Sequence, residues 1–280
     1  LGQPIGARLE EFTAIGCGTL SVGLHRTRHP VHFNGAQDVQ RWMQLSCAVF
    51  VEVFSAQGRA TMHVHEAGCT VGEGFDVLRV SYEQKWQLDD DKDKSRFAWL
   101  FVYALKPKVA HSGNPCTEMS IIGEGEMSAV TLSNNRLTLD ICQHQDIHGL
   151  GASAENPGSS SFWTLNDTVQ MFGYACKPRL TWNHYRTEGC ALGVKYPAVD
   201  QPGKPMLKPQ VWVSNFEMSL MELRCRDSCS LVQPSHEHRQ IRGTMKMPDG
   251  HWCPVAKYSG AYTAVQGTVY AKCVRKACQN

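Results

Sequence analysis

The sequence predicts an all-β protein, a disulfide-stapled antiparallel β-sandwich or pair of sandwiches with long loops and little helix. Three observations carry that expectation. Twelve cysteines stand among 280 residues. Hydrophobicity alternates with a period of two in the clearest segments, the period of a strand with one face buried. Gly and Pro clusters separate these segments, as they do in sandwiches and barrels.

The clearest local structure is a hairpin. In residues 77–88, VLRVSYEQKWQL, one face carries Leu78, Val80, Tyr82, Trp86 and Leu88, and the other Arg79, Ser81, Glu83, Lys85 and Gln87. Residues 89–95, DDDKDKS, then read as a polar turn, and 96–105 as a central strand apolar on both faces. Further strands are expected over 45–54, 60–65, 128–131, 136–142, 168–176, 210–213, 217–224, 240–245 and 264–273. The best helix signal is 36–45, AQDVQRWMQL. Residues 149–161, GLGASAENPGSSS, read as a loop or linker between a unit spanning 1–148 and a second spanning 162–280. Five cysteines precede this segment and seven follow it. Complete pairing therefore needs a bridge across it, and the two units are expected to be docked.

Cysteine usage points to an oxidising compartment. Cys17, Cys47, Cys69, Cys116, Cys142, Cys176, Cys190, Cys225, Cys229, Cys253, Cys273 and Cys278 are an even set, enough for six bridges. A competing zinc reading joins Cys225, Cys229, His236 or His238, and Cys253. The start at Leu1 without a basic, apolar leader fits a mature secreted chain or an ectodomain. No apolar run is long enough to span a bilayer. Asn166-Asp167-Thr168 is a glycosylation sequon.

Lys and Arg total 28 against 26 Asp and Glu, a balance that argues against a nucleic-acid partner. No Walker loop, G-x-S-x-G or G-x-G-x-x-G is present. His144–His148 resembles the zinc-protease H-E-x-x-H, but Gln145 replaces the glutamate that must take a proton. Two H-x-H pairs, His63 with His65 and His236 with His238, would form a copper or zinc site if strands aimed each pair to one side. Lys177, Arg179 and Arg186 with Trp182, His184 and Tyr185 mix cations and aromatics as binding surfaces do. The expected function is accordingly a secreted or ectodomain protein, viral or extracellular, that binds another protein or a glycan and needs no cofactor. The alternative is an extracellular metalloenzyme with a His-rich copper or zinc site.

Overall fold

The computed structural model describes residues 48–279 apart from 57, 79–80, 83, 117, 120–126, 175, 197–202, 226–236, 242, 248 and 256–261. The expected helix at 36–45 and the residues Cys17, Cys47, Cys229 and His236 lie outside the described residues.

The fold is mixed α/β, not all-β. Its centre is one five-stranded sheet of order β1-β2-β3-β8-β6. Strands β1 (Phe50–Val53), β2 (Val109–Ser112) and β3 (Gly151–Pro157) run parallel. Val71 and Phe75 extend the parallel set beyond β1 by bridging to Phe50 and Val53. Strand β8 (Pro209–Ser214) lies antiparallel between β3 and β6 (Asn183–Glu188), so β6 runs with the first three.

Helices cover both faces. On one, α1 (Arg59–Glu66) and α5 (Ala264–Gln279) bury Phe50, Val109, Tyr185 and Trp212 under Ala60, Val64, Tyr270 and Val274. On the other, Val51, Val53 and Ala110 pack on Phe97, Phe101, Leu137 and Ile141. These come from α2 (Asp91–Trp99), its π-helical continuation Leu100–Leu105, and α3 (Ala129–Ile147). Ala152, Ala154 and Val213 lie against Phe162, Phe172 and Trp182, with α4 spanning Asn166–Phe172. All four residues of β1 and of β2 are buried, as strands covered on both sides must be.

The expected hairpin is replaced by a turn-rich segment and a helix. Asp90 caps α2 by accepting from the N–H groups of Lys92 and Asp93, and Asp91 and Asp93 sit in its positive first turn. The apolar run that follows is compatible with a buried helix as much as with a strand, and the cap decides. Similar corrections apply to 60–65, 136–142 and 264–273, which lie in α1, α3 and α5. Ser128 starts α3 by accepting from Thr131 N–H, and Gly149, at φ 67°, follows its end. Residues 168–176 are mostly α4, and 217–224 hold a 3₁₀ turn at Ser219–Met221. The segment 149–161 contains β3, in the middle of the sheet, whose partners come from both sides of it in sequence.

A smaller lobe follows β6. It contains the 3₁₀ turn Gly189–Leu192, the parallel pair β7 (Met206–Leu207) and β9 (Arg239–Gln240), and the hairpin β10 (Thr244–Lys246)–β11 (Trp252–Pro254). Its core is small: Val194, Tyr196, Met206, Met245 and Val255, flanked by Ile241, Met247 and Cys253. Outside the sheet, β4 (Gly173–Tyr174) pairs with β5 (Lys177–Pro178).

No disulfide staple is found among the described residues. Nine cysteines lie among the described residues, Cys69, Cys116, Cys142, Cys176, Cys190, Cys225, Cys253, Cys273 and Cys278, and no two of these nine are bridged. A core buried on both faces of the sheet holds this chain together. Secretion, inferred from cross-links, loses that premise. No helix among the described residues is long and apolar enough to cross a membrane.

Candidate functional site at the carboxyl edge of the sheet

In open, doubly wound sheets ligands bind where the parallel strands end. Here that edge carries the loop 54–58 after β1, Asp76 after the bridging segment, residues 113–116 after β2, and Glu155 near the end of β3. The amino end of antiparallel β8 adds Lys208, just before it, and Gln210.

The loop after β1 is held in an uncommon conformation. Phe54, Ala56 and Gly58 have φ of 55°, 43° and 64°. Two of these residues carry a Cβ there, at a cost of about 1 kcal/mol or more each. Asp76 fixes the loop: its carboxylate accepts from Ala56 N–H at 2.8 Å and Leu78 N–H at 2.7 Å. The end of the bridging segment lies so close that a Cβ on Gly74 would fall 2.6 Å from Ser55 Oγ. Glycine is required there by proximity.

Glu52 points from β1 into the N-terminus of α1. Its Oε2 accepts from Thr61 N–H at 2.8 Å and from Thr61 Oγ1 at 2.6 Å. The helix end that usually receives a phosphate therefore already holds a carboxylate.

Three buried polar atoms at this edge have no hydrogen-bond partner among the described residues: Ser55 Oγ, Asn114 Oδ1 and Asn156 Oδ1. They belong to the ends of β1, β2 and β3 in turn. Unpaired buried polar atoms are costly, so three on one edge point to a ligand that pairs with them.

Beneath the edge, on the side covered by α5, lies a buried polar chain. His111 on β2 contacts Ser153 Oγ at 3.0 Å and Tyr262 OH at 2.9 Å, and Ser153 meets Tyr270 OH at 2.9 Å. The imidazole stacks on Trp212 with centroids 5.3 Å apart. Burial pushes His111 down to about 3, so the ring is neutral. Glu155 takes a hydrogen bond from Gln210 Nε2 at 2.6 Å, and Gln266 Nε2 donates onward to Gln210 Oε1 at 3.0 Å. Burial raises the Glu155 carboxyl, against Lys208, Gln210 and Tyr262. The same burial, with Glu155 nearby, raises the Cys116 thiol, and Lys208 opposes. The edge thus offers a carboxyl and a thiol, both raised by burial.

The residues singled out from sequence are scattered. His63 and His65 lie on a helix, where two residues apart means nearly opposite faces. His63 is buried, pairs with Glu66 Oε2 at 2.8 Å and packs against Gly267, while His65 is exposed. The two cannot grip one ion, because the strand assumed for them is a helix. His238 comes together instead with Cys225, as one of the zinc readings joined them, and with Cys190, which that reading omitted. Trp182 and Tyr185 are buried on opposite faces of the sheet, so neither aromatic joins Lys177, Arg179 and Arg186 in an exposed patch. His184 is half-buried against Phe172 O at 3.0 Å. Asn166 is exposed at the start of α4.

Sequence reasoning missed Ser55, Asn114, Cys116, Glu155 and Asn156 as a group. Their common signal was position at or just beyond the ends of parallel strands, invisible while those strands were read otherwise. No protein-family model matches the chain, and no curated protein matches it significantly.

Proposed function

We propose that the chain is an enzyme that binds a nucleoside cofactor without a phosphate at the ends of β1 and β2 and transfers a group from it. The reaction that fits best is methyl transfer from a sulfonium donor of the S-adenosylmethionine type. The observation that carries this reading is Glu52 at the N-terminus of α1. Its carboxylate occupies the place where a nucleotide phosphate would bind and repels one. The G-x-G-x-x-G needed for close approach of a pyrophosphate is absent as well. Glu52 and Asp76 at the same edge favour a cation over an anion. Winding with one antiparallel strand slipped in beside the last parallel one also occurs in enzymes of this methyl-transferring kind, an analogy of fold only.

When bound, such a donor supplies a methyl carbon whose bond to sulfur breaks as the acceptor's lone pair closes on it, leaving a neutral thioether. The chain's own residues orient the partners. Ser55, Asn114 and Asn156 offer the unpaired acceptors for hydroxyl and amino groups. Glu155, held by Gln210, and Cys116 stand in one electrostatic environment at the end of β3, where the acceptor molecule would lie.

Isothermal titration calorimetry with S-adenosylmethionine, S-adenosylhomocysteine, ATP and NAD tests the reading. Binding of the first two and not of the last two is expected. Binding of ATP or NAD alone, or of none of the four, overturns it.

A second reading retains a glycan or protein partner, with secretion and modification at Asn166 belonging to it. It is favoured by Leu180, which is fully exposed, next to exposed Arg179 and Lys177 and to Tyr174 at 56% exposure. Retention on a heparin column, lost in a Lys177→Glu/Arg179→Glu double variant, supports the glycan form; no retention of the wild type rejects it.

A further inference from the structure

We propose that Cys190, Cys225 and His238 are ligands of a structural zinc ion that ties the small lobe to the end of β6. The three come from separate stretches of chain: the 3₁₀ turn after β6, the segment after Ser219–Met221, and the residue before β9. Their donor atoms all lie within 4.8 Å of one another. His238 Nε2 is 3.2 Å from Cys190 Sγ and 3.3 Å from Cys225 Sγ. Neither cysteine is in a disulfide.

Two sulfurs converge on one ring nitrogen. A neutral imidazole nitrogen carries one proton or one lone pair in the ring plane, enough for one thiol. Donors that share a tetrahedral zinc stand about 3.6 Å apart for a sulfur–nitrogen pair, given the usual metal–ligand lengths. Two thiolates and an imidazole also make a soft donor set, which selects zinc over magnesium or calcium. A fourth position completes the tetrahedron, filled by water or another side chain.

The surroundings hold the donors in place. Glu188, the last residue of β6, accepts from Cys225 N–H at 2.7 Å, and its own N–H donates to Leu223 O at 2.8 Å. Arg239, next to His238, donates its N–H to Pro205 O at 2.9 Å and lies over the Tyr196 ring. The lobe beyond rests on five buried core residues and two-stranded sheets. Small units of that kind are usually stapled, by disulfides or by metal. A metal held by Cys190, Cys225 and His238 is a staple of that kind. The proposal does not depend on the cofactor reading, since its residues lie outside that edge.

The test is metal analysis of the chain purified from zinc-supplemented culture without chelator, followed by replacement of the metal with cobalt. One zinc per chain is expected, together with thiolate-to-cobalt charge-transfer bands and d–d absorption of tetrahedral intensity. Cys190→Ser and Cys225→Ser should each lose the metal and make the region around 189–255 the first site of proteolysis. If either variant fails to fold, the cobalt spectrum of the wild type still decides. Chain without bound metal and without thiolate bands on cobalt addition overturns the site. So does a Cys190–Cys225 disulfide in the denatured, unreduced protein.

Discussion

The carboxylate of Glu52 accepts both the backbone N–H and the hydroxyl of Thr61, at 2.8 Å and 2.6 Å. This pair turns the first residues of α1 toward β1 and fills the helix end from within the protein. Thr61→Val keeps the shape and removes the hydroxyl donor. It should cost about 1.5–3 kcal/mol, the range for a hydrogen bond to a charged group. Glu52→Ala, which leaves the helix N–H groups uncompensated as well, should cost more. Urea unfolding of the two variants checks the order, and an equal, negligible loss in both would show that the pair is not holding the helix.

His63 and Gly267 describe the packing of α1 on α5. A Cβ at position 267 would run into the His63 imidazole. Gly267→Ala should therefore destabilise by about 2–3 kcal/mol or more, as overpacking of a tight contact does. The double variant His63→Ala/Gly267→Ala should recover much of that loss, giving a clear interaction energy in a double-mutant cycle. The single His63→Ala variant should leave the zinc content unchanged. Additive effects in the cycle would mean that the two helices separate elsewhere.

Acid sensitivity follows from His111. Burial lowers it from the ordinary 6.5 to about 3 in the folded chain. Between those values the unfolded chain takes up a proton at this residue that the folded chain does not. Stability is therefore present above pH 6.5 and falls by about 1.4 kcal/mol per pH unit as the pH drops through that window. Glu155 acts oppositely: with its pKa raised, its contribution is present below its ordinary value and lost as the pH rises through the folded one. Urea unfolding between pH 7 and pH 4 should show a shallower slope in His111→Gln than in the wild type. Parallel slopes would place the acid sensitivity in other groups, His144 first among them, since burial lowers it to about 4.

How much of this was legible in the sequence depends on the element. The stretch Gln210–Val213 read as a strand and lies within β8, because Val211 and Val213 alternate with Gln210 and Trp212 and each face meets a partner. The run LFVYAL was ambiguous by nature, and the deciding signal, Asp90 as a cap, was read as turn composition. In α3 the stretch LTLDIC alternates apolar and polar residues as a strand does. There Thr138 and Asp140 are buried beside the apolar positions, which hides the helical period. Strand β3, GASAENP, has none of the branched residues that mark strands. Small side chains suit it because helices close in on both faces. At the metal site, Cys225 and His238 are near in sequence and could be paired by spacing. Cys190 lies 35 residues before Cys225, and only the fold brings it in.

Cys116 and Glu155 supply the sharpest test of the candidate site. Burial raises the thiol, Glu155 raises it further, and Lys208 lowers it. Replacing each neighbour should move the thiol in opposite directions. In the alkaline range where Cys116 ionises, Glu155→Gln removes the carboxylate charge that raises the thiol and should shift the pH profile of Cys116 alkylation to lower pH. Lys208→Met removes a positive charge and should shift it to higher pH. Because the wild-type thiol is protonated at neutral pH, its labelling should be slow there and rise only in alkali, thiolate being the reactive form. Peptide-resolved mass spectrometry after timed iodoacetamide exposure isolates Cys116 from the other thiols. Opposite shifts establish that the three side chains share one electrostatic environment at the strand ends. Shifts in the same direction, or none, would mean that the variants act by loosening the fold, and the acid–thiol pair would lose its place in the proposed reaction. Saturating S-adenosylhomocysteine should slow the labelling further by covering the edge, provided that nucleoside binds where Ser55, Asn114 and Asn156 offer their unpaired atoms.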